Sequence, residues 1–346
     1  MKGWEMAVTI EDVAKQASVS TATVSRVFNN SARVSPETRN RVLETASMMN
    51  YKPRSYRRQQ GTGKAVGIVF SNRFFESLTS TPFYAEVMAG VEQSLRERNH
   101  DVLIRSLTDQ ADQDLRSIVS LSEKQRLGGL LIIGYEVSRD FILRLRDLGI
   151  PMVLLDRDLW ADKLDCILNE DYLGAVEMTD YLIGLGHRRI AFICGPLRHK
   201  SLADRYAGYK DSLAKAGIPY DESLVRISES YHGMPEGEQM TIDILSNCRP
   251  SPTAIFAAID LLAIGALRAA QQLGRAVPDD LSIAGYDDIE MVQHLSPPLT
   301  TVRNFKWEMG YLAGKRLDEL MTGSVKRPVK HTLAVELVIR GSVSQP

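Results

Sequence analysis

Two periodicities divide the chain. Over residues 8–51 the apolar positions recur three and four apart, the spacing of one helical face: Ile10, Val13, Ala14 and Ala17, then Val24 and Val27, then Val42, Leu43, Ala46 and Met49. Thr9 ahead of Glu11 and Asp12 predicts a capped first helix from about Ile10 to Gln16. Ser20 caps a second over Thr21 to Phe28, and Ser35 with Pro36 opens a third that runs to about Asn50. Three short helices with a tight turn between the first two make a helix-turn-helix unit.

Beyond residue 64 the pattern changes to apolar runs that alternate with helical stretches. Strands are predicted at Ala65–Phe70, Asp101–Leu107, Gly129–Ile133 and Met152–Leu155, with helices at Tyr84–Arg98, Asp112–Lys124 and Phe141–Leu148 between them. A second series begins after Ile167, with strands at Ile190–Cys194, Leu224–Ile227, Ala254–Ala258 and Leu281–Tyr286. Its helices fall at Tyr172–Leu185, Arg205–Ala216, Glu236–Leu245 and Leu261–Leu273. Near-continuous apolar strands, each followed by a helix, indicate parallel sheets covered on both faces. The expected fold is therefore an N-terminal all-α helix-turn-helix domain followed by a two-lobed α/β body, each lobe a parallel sheet flanked by helices.

Charge separates the same two parts. Of 42 Lys/Arg and 43 Asp/Glu, residues 1–60 hold ten and five, leaving 32 and 38 for the rest. A near-neutral total thus hides a basic head, which a polyanion attracts, on an acidic body. On the face of the second helix left free by Val24 and Val27, Arg26 is suited to a guanine edge and Thr21 and Ala22 to a thymine methyl. Ser20, Thr23, Asn29 and Arg33 suit phosphates. The alternative is that the hydroxyls only solvate an exposed helix. Residues 52–63 place Lys52, Arg54, Arg57 and Arg58 close together, as for a segment that lies along DNA rather than a plain linker.

In the body, ligands of open parallel sheets bind beyond the carboxyl ends of the strands. Ser71, Asn72, Phe83, Tyr84, Asp156 and Arg157 occupy such positions in the first series, and Asp204, Arg205, Tyr231, His232, Asp260, Asp287 and Asp288 in the second. Carboxylates and a guanidinium beside aromatic faces suit a small polyhydroxylated ligand. Capping of helices or loops explains Asp260 and Asp287 equally well on spacing alone.

Other classes find little support. There is no GxGxxG after a strand, no GxxxxGK[ST], no HExxH and no serine elbow, so no catalytic residue is nominated. His187 sits in a turn before a strand, where packing explains it. Cys166, Cys194 and Cys248 lie far apart in or beside apolar runs; no metal or cofactor is expected, and a reducing, cytoplasmic setting is. Acidic residues near the N-terminus argue against a secretory leader, and no long uncharged apolar run suggests a membrane span.

The segments TIEDVAKQASVSTATVSRVFNN and RVSPETRNRVLETASMMNYKP resemble the head of the lactose-repressor/galactose-repressor family. PFYAEVMAGVE, LDRD, LGHRRIAFICG, DRYAGYKDSLAKAG, PTAIFAAID, GYDD, PPLTTV and LAVELVIRGS extend the likeness over residues 8–341. The resemblance implies a repressor of transcription whose body is similar to periplasmic sugar-binding proteins. Its partners would be double-stranded, pseudopalindromic operator DNA, a small-molecule effector and a second copy of the chain, and it would associate with the nucleoid when operator-bound. A sugar is the first expectation for effector; a purine or another metabolite, or a solute-binding protein without regulatory output, are the alternatives.

By position the resemblance assigns Thr21, Ala22 and Arg26 to base reading and Ser20, Thr23 and Asn29 to phosphate or backbone positioning. It assigns Arg205 and Asp287 to effector hydrogen bonds, and Phe83, Tyr84 and His232 to the walls of the site. Two departures stand out. Ile259 occupies a slot commonly held by Asn, which removes one expected effector hydrogen bond. In the hinge, Tyr56 and Arg57 fill positions often small and Gln60 replaces a leucine that wedges between base pairs, so binding leans on Arg57 and Arg58 against phosphate.

The implied organisation is a helix-turn-helix domain at 8–51, a basic hinge at 52–63, a first lobe of 64–166 plus 299–329, and a second of 167–298 plus 330–346. Pairing through the first lobe's helix near Tyr84 to Arg98 is expected. The terminal strand LAVELVIR ends six residues before Pro346, which favours a dimer over a tetramer built on an added leucine-heptad helix.

Overall fold

The computed structural model describes residues 9–28, 34–49, 51, 64–71, 82–108, 110–125, 127–134, 136–229 and 233–346. Two compact units result, Met1–Gly63 and Lys64–Pro346.

The first unit holds α1 (Ile10–Gln16), α2 (Thr21–Phe28) and α3 (Pro36–Met48). Thr9 and Asp12 form a reciprocal cap on α1, the Thr9 N–H donating to Asp12 Oδ2 at 2.8 Å and the Asp12 N–H to Thr9 Oγ1 at 3.4 Å. Ser20 and Ser35 accept from Thr23 N and Thr38 N at the starts of α2 and α3. Val13, Ala14, Ala17, Val24, Val27, Val42 and Ala46 close a small core between the three helices.

In the second unit the first lobe is a six-stranded, wholly parallel sheet built from β1 (Ala65–Ser71), β2 (Asp101–Leu107), β3 (Leu127–Ile133), β4 (Met152–Leu155), β5 (Asp165–Asn169) and β11 (Lys330–Leu333), in the order β11-β5-β4-β3-β1-β2. Alternation along the strands feeds two cores. Ile68, Leu131 and Val153 pack beneath α4 (Pro82–Glu97) and α11 (Lys306–Thr322), whereas Leu130, Ile132 and Leu154 pack with α5 (Ala111–Gln125) and α6 (Arg139–Asp147). Helices α4 and α11 touch backbone to backbone: a Cβ on Gly90 would overlap the Trp307 carbonyl and one on Gly310 the Val87 carbonyl.

The second lobe carries β6 (Ile190–Cys194), β7 (Val225–Ile227), β8 (Ala254–Ala257) and β9 (Ser282–Ala284) in the parallel order β7-β6-β8-β9. Around it α7 (Asp171–Gly184) pairs with α8 (Lys200–Lys215) and α9 (Met234–Asn247) with α10 (Asp260–Gln272). A short antiparallel pair, β10 (Thr301–Arg303) with β12 (Glu336–Val338), adjoins this sheet through bridges from Thr300 to Ala284 and from Arg303 to Asp287.

The lobe boundaries read from the sequence, 166/167, 298/299 and 329/330, shift. Residues 165–169 pair with β4 and so belong to the first sheet, and Lys330–Leu333 pair with Cys166–Asn169 in that same sheet. Thr300 to Arg303 remain with the second lobe. The expected terminal strand LAVELVIR is split between the two sheets, because Leu333 ends β11 and Glu336 begins β12. The chain therefore passes between the lobes after Asn169, Arg303 and Leu333.

Lys64, the first residue of the second unit, is tied down at once. Its N–H donates to His100 Nδ1 at 3.1 Å, His100 Nε2 lies 2.8 Å from Asp318 Oδ1, and Lys64 Nζ reaches the Met321 carbonyl at 3.4 Å. Nδ1 accepts, so the ring proton sits on Nε2 and is donated to Asp318.

Candidate functional site

On α2 the split between inward and outward residues follows the sequence. Val24 and Val27 are buried, while Thr21, Ala22 and Arg26 are exposed, Ala22 and Arg26 standing one turn apart on the same face. Ser20 is exposed and Thr23 half-buried, and their hydroxyls meet at 2.9 Å, so both belong to the helix cap. Asn29, Arg33, Tyr56, Arg57, Arg58 and Gln60 lie outside the described residues.

In the second unit a cavity of about 30 Å³ is lined by Phe83, Tyr84 and Asp156 from the first lobe and by His199, Ser201, Leu202, Arg205, Ile259 and Asp287 from the second. A single water needs roughly 10–15 Å³ of such space, so the cavity has room for no more than a few waters. The strand ends deliver these residues: Asp156 follows β4 and Asp287 follows β9, both with left-handed backbones (φ 55° and 110°) unusual for a non-glycine residue.

Arg205 is the hub. Its Nε and Nη2 lie 2.8 Å from Asp171 Oδ1, and Nη1 donates to the Ala258 carbonyl at 2.7 Å and lies 3.1 Å from Asp287 Oδ1. The guanidinium carbon stands 3.7 Å from the centre of the Tyr286 ring. Asn304 Nδ2 donates to Asp287 Oδ1 at 3.0 Å, and Lys306 Nζ donates to the carbonyls of Asp287 and Asp288 at 2.8 and 3.0 Å. Burial raises the Asp287 carboxyl above its ordinary range against the pull of Arg205 and Lys306. Burial likewise pushes Asp171 up to about 6, Arg205 opposing and Asp156 adding to the rise.

On the opposite wall, Tyr84 Oη donates to Asp156 Oδ2 at 2.8 Å, and His199 Nε2 lies 3.2 Å from the same oxygen. Ser201 Oγ is 2.7 Å from His199 Nδ1. Burial acts to raise the Asp156 carboxyl, but His199, Tyr84 and Arg205 together outweigh it and hold the group below its usual range.

Of the effector residues expected from the sequence, Phe83, Tyr84, Asp156, Arg205 and Asp287 converge here. His232 lies outside the described residues, as do Asn72 and Tyr231. Asp260 does not line the cavity. It is completely buried, Oδ2 accepting from Ile289 N at 2.9 Å and Oδ1 from Thr301 Oγ1 at 2.6 Å, so it braces the loop that carries Asp287. Capping, the other meaning of that position, describes it. Asp204 pairs with Lys200 one turn away on its own helix. His199, Ser201, Leu202 and Asp171 were not anticipated, although His199 and Ser201 sit just beyond the carboxyl end of β6, the kind of position that singled out the others. Ile259 does line the cavity, presenting hydrocarbon at the slot where the sequence led to the expectation of a missing hydrogen bond. His187 is a packing residue: its ring bonds Thr253 Oγ1 at 2.8 Å and the Ser344 carbonyl at 2.9 Å.

Among the described residues no group of His, Cys, Asp and Glu could hold a metal ion, and no helix is long and apolar enough to cross a membrane.

Comparison with known proteins bears on both units. Residues 9–54 match the family described as bacterial regulatory proteins, lacI family, and residues 179–343 match the periplasmic binding protein-like domain. The ribose operon repressor of Haemophilus influenzae is 36% identical over 343 residues, covering 97% of this chain and 98% of that protein. Among solved structures, the transcriptional regulator CelR–cellobiose complex aligns with a TM-score of 0.72 at 32% identity over 97% of this chain and 99% of that one. The lac repressor dimer bound to operator and the anti-inducer ONPF aligns at 0.73 and 27% over 98% and 100%. A capped helix-turn-helix head joined to a two-lobed parallel-sheet body, matched end to end by such relatives, places the protein: the chain belongs to the LacI family of DNA-binding transcription repressors with ligand-binding domains.

Proposed function

We propose that this repressor binds a pseudopalindromic operator as a homodimer and that a sugar seated between its lobes changes that affinity. The observation that carries the reading is the cavity itself, lined from both lobes by carboxylates, a guanidinium and an aromatic wall. Arg205, Asp287 and Asp156 would hydrogen-bond hydroxyls, with Phe83, Tyr84 and His232 as walls. In the head, Arg26 would read a guanine edge and Thr21 and Ala22 thymine methyls. Ser20, Thr23, Asn29 and Arg33 would contact phosphates, joined by Tyr56, Arg57, Arg58 and Gln60 of the basic segment. The dimer would form through the first lobe's helix Pro82–Glu97.

A cavity of about 30 Å³ holds no sugar, so the ligand must part the lobes at the Asp156–His199 contact. A ligand that binds the open and closed arrangements differently shifts their populations, and only such a ligand alters the output. The similar ribose operon repressor and CelR–cellobiose complex are named for sugars, which agrees with the donor and acceptor content of the site. Phe83 favours a second reading, in which a purine stacks in the same place.

No catalysis is assigned to the chain. Burial pushes the thiols of Cys166 and Cys194 up to about 11 and about 12, far from the thiolate a nucleophile requires. The protein would act in the cytoplasm, on the nucleoid when operator-bound. The test is a mobility-shift titration on operator-containing DNA with and without saccharides and purines. A sugar that moves the midpoint supports the reading, and a response to a purine alone replaces it with the second.

A further inference from the structure

Charge in the cleft is unevenly matched. Among the described residues the basic groups lining the cavity are Arg205 and the His199 imidazole, which faces Asp156, and all three guanidinium nitrogens of Arg205 are engaged by Asp171, Asp287 and the Ala258 carbonyl. The Lys306 ammonium is held by the carbonyls of Asp287 and Asp288 with Glu86 3.4 Å away, and Lys306 does not line the cavity. Two carboxylates, Asp156 and Asp287, line the cavity with that guanidinium, and a third, Asp171, holds Arg205 from outside the lining. Two of their oxygens, Asp156 Oδ1 and Asp287 Oδ2, accept no hydrogen bond among the described residues. Tyr84, His199 and Ser201 add polar groups to the lining, and Phe83, Leu202 and Ile259 supply its hydrocarbon.

We infer that the cleft selects an uncharged ligand bearing several hydroxyl groups and rejects sugar acids and sugar phosphates. The inference deepens the sugar reading above and rests on it. A hydroxyl donates to an open carboxylate oxygen without disturbing the network, and the C–H face of a saccharide ring fits against Phe83, Leu202 and Ile259. An anion meets the open carboxylate oxygens of Asp156 and Asp287 at short range in a site of low dielectric. To bind, it must also draw Arg205 off Asp171 or Asp287 and leave a buried carboxylate without its partner.

The test is calorimetric titration of the full chain with ribose, glucose and galactose, the terminal phosphate ester of each, glucuronate, galacturonate, hypoxanthine and guanine. At least one neutral sugar is expected to bind, with its phosphate or uronate weaker by about 100-fold. A phosphate or uronate within about tenfold of its parent sugar overturns the charge assignment and leaves the sugar reading standing. Binding of a purine with no response to any saccharide overturns the sugar reading, and this inference with it. An Asp171→Asn variant supplies a second measurement, since it removes the negative charge that holds two nitrogens of Arg205. Its discrimination against the uronate is expected to narrow by about tenfold. Undiminished discrimination in a variant with a native melting transition overturns the role given to Asp171.

Discussion

His199 Nε2 and Asp156 Oδ2 stand 3.2 Å apart across the gap between the two lobes. One residue follows the fourth strand of the first sheet and the other caps the helix Lys200–Lys215 of the second lobe, so their separation reports directly on whether the lobes are closed. Tyr84 from the first lobe and Ser201 from the second fix the two partners.

His199→Ala removes the second-lobe partner of a buried carboxylate. Loss of one member of a buried pair costs about 3 kcal/mol, expected as a lower urea midpoint. Asp156→Asn in the same chain should recover part of that loss. A double-mutant cycle between the two positions is expected to give coupling of about 1 kcal/mol or more; additive effects would mean that the contact contributes nothing to closure.

Asp171 sets a pH dependence of definite sign. Its folded-state value of about 6 lies above the ordinary 3.8 because burial outweighs Arg205, so the folded chain keeps a proton that the unfolded chain releases. The group therefore contributes stability below about pH 4 and loses it as pH rises through about 6, a swing of up to about 3 kcal/mol. Urea midpoints from pH 4 to pH 7.5 should fall more steeply in the wild type than in Asp171→Asn. Parallel slopes would contradict the assignment.

Arg26→Ala is expected to lose about 1–3 kcal/mol of discrimination at one operator position. Binding to a set of single-base operator variants measures it. The assignment fails if the wild type and the variant rank every base at every position alike.

Replacing Arg57 and Arg58 by Ala should weaken binding on all duplexes to a similar degree and reduce the salt slope of log K by about 2. An unaltered slope between low and moderate salt would place both side chains away from phosphate.

Asp287 and Asp260 should separate function from stability. Asp287→Ala is expected to abolish the effector response while operator binding remains measurable in a mobility shift. Asp260→Ala strands the Ile289 N–H and the Thr301 hydroxyl and is expected to cost about 2 kcal/mol of stability. A full effector response in Asp287→Ala would remove that residue from the site.

Local signals made much of this architecture legible. Thr9 with Asp12 and Ser35 with Pro36 declare helix starts within four residues of sequence, and runs such as IAFIC and AIFA are strands because both faces of the sheet are covered. What escaped depends on partners remote in sequence. KHTL has no apolar run, and only the edge offered by Cys166–Asn169 makes it a strand. Asp260 finds its partners 29 and 41 residues away, so nothing in its neighbourhood distinguishes a brace from a ligand contact. His199 and Ser201 line the cavity opposite Phe83, Tyr84 and Asp156, which belong to the other lobe and lie far away in sequence.

The helix Lys306–Thr322 begins with an ammonium clasping the carbonyls of Asp287 and Asp288 and ends beside Lys64, which it holds through Asp318, His100 and the Met321 carbonyl. At 1.5 Å of rise per residue, the stretch from Lys306 to Asp318 is a strut of about 18 Å. Its crossing with Pro82–Glu97 leaves no room for a single methylene at Gly90 or Gly310, so it travels as one rigid piece with its neighbour rather than flexing. Tension applied to the Asp287 loop is therefore delivered, undamped by any intervening loop, to the residue where the body's polypeptide starts.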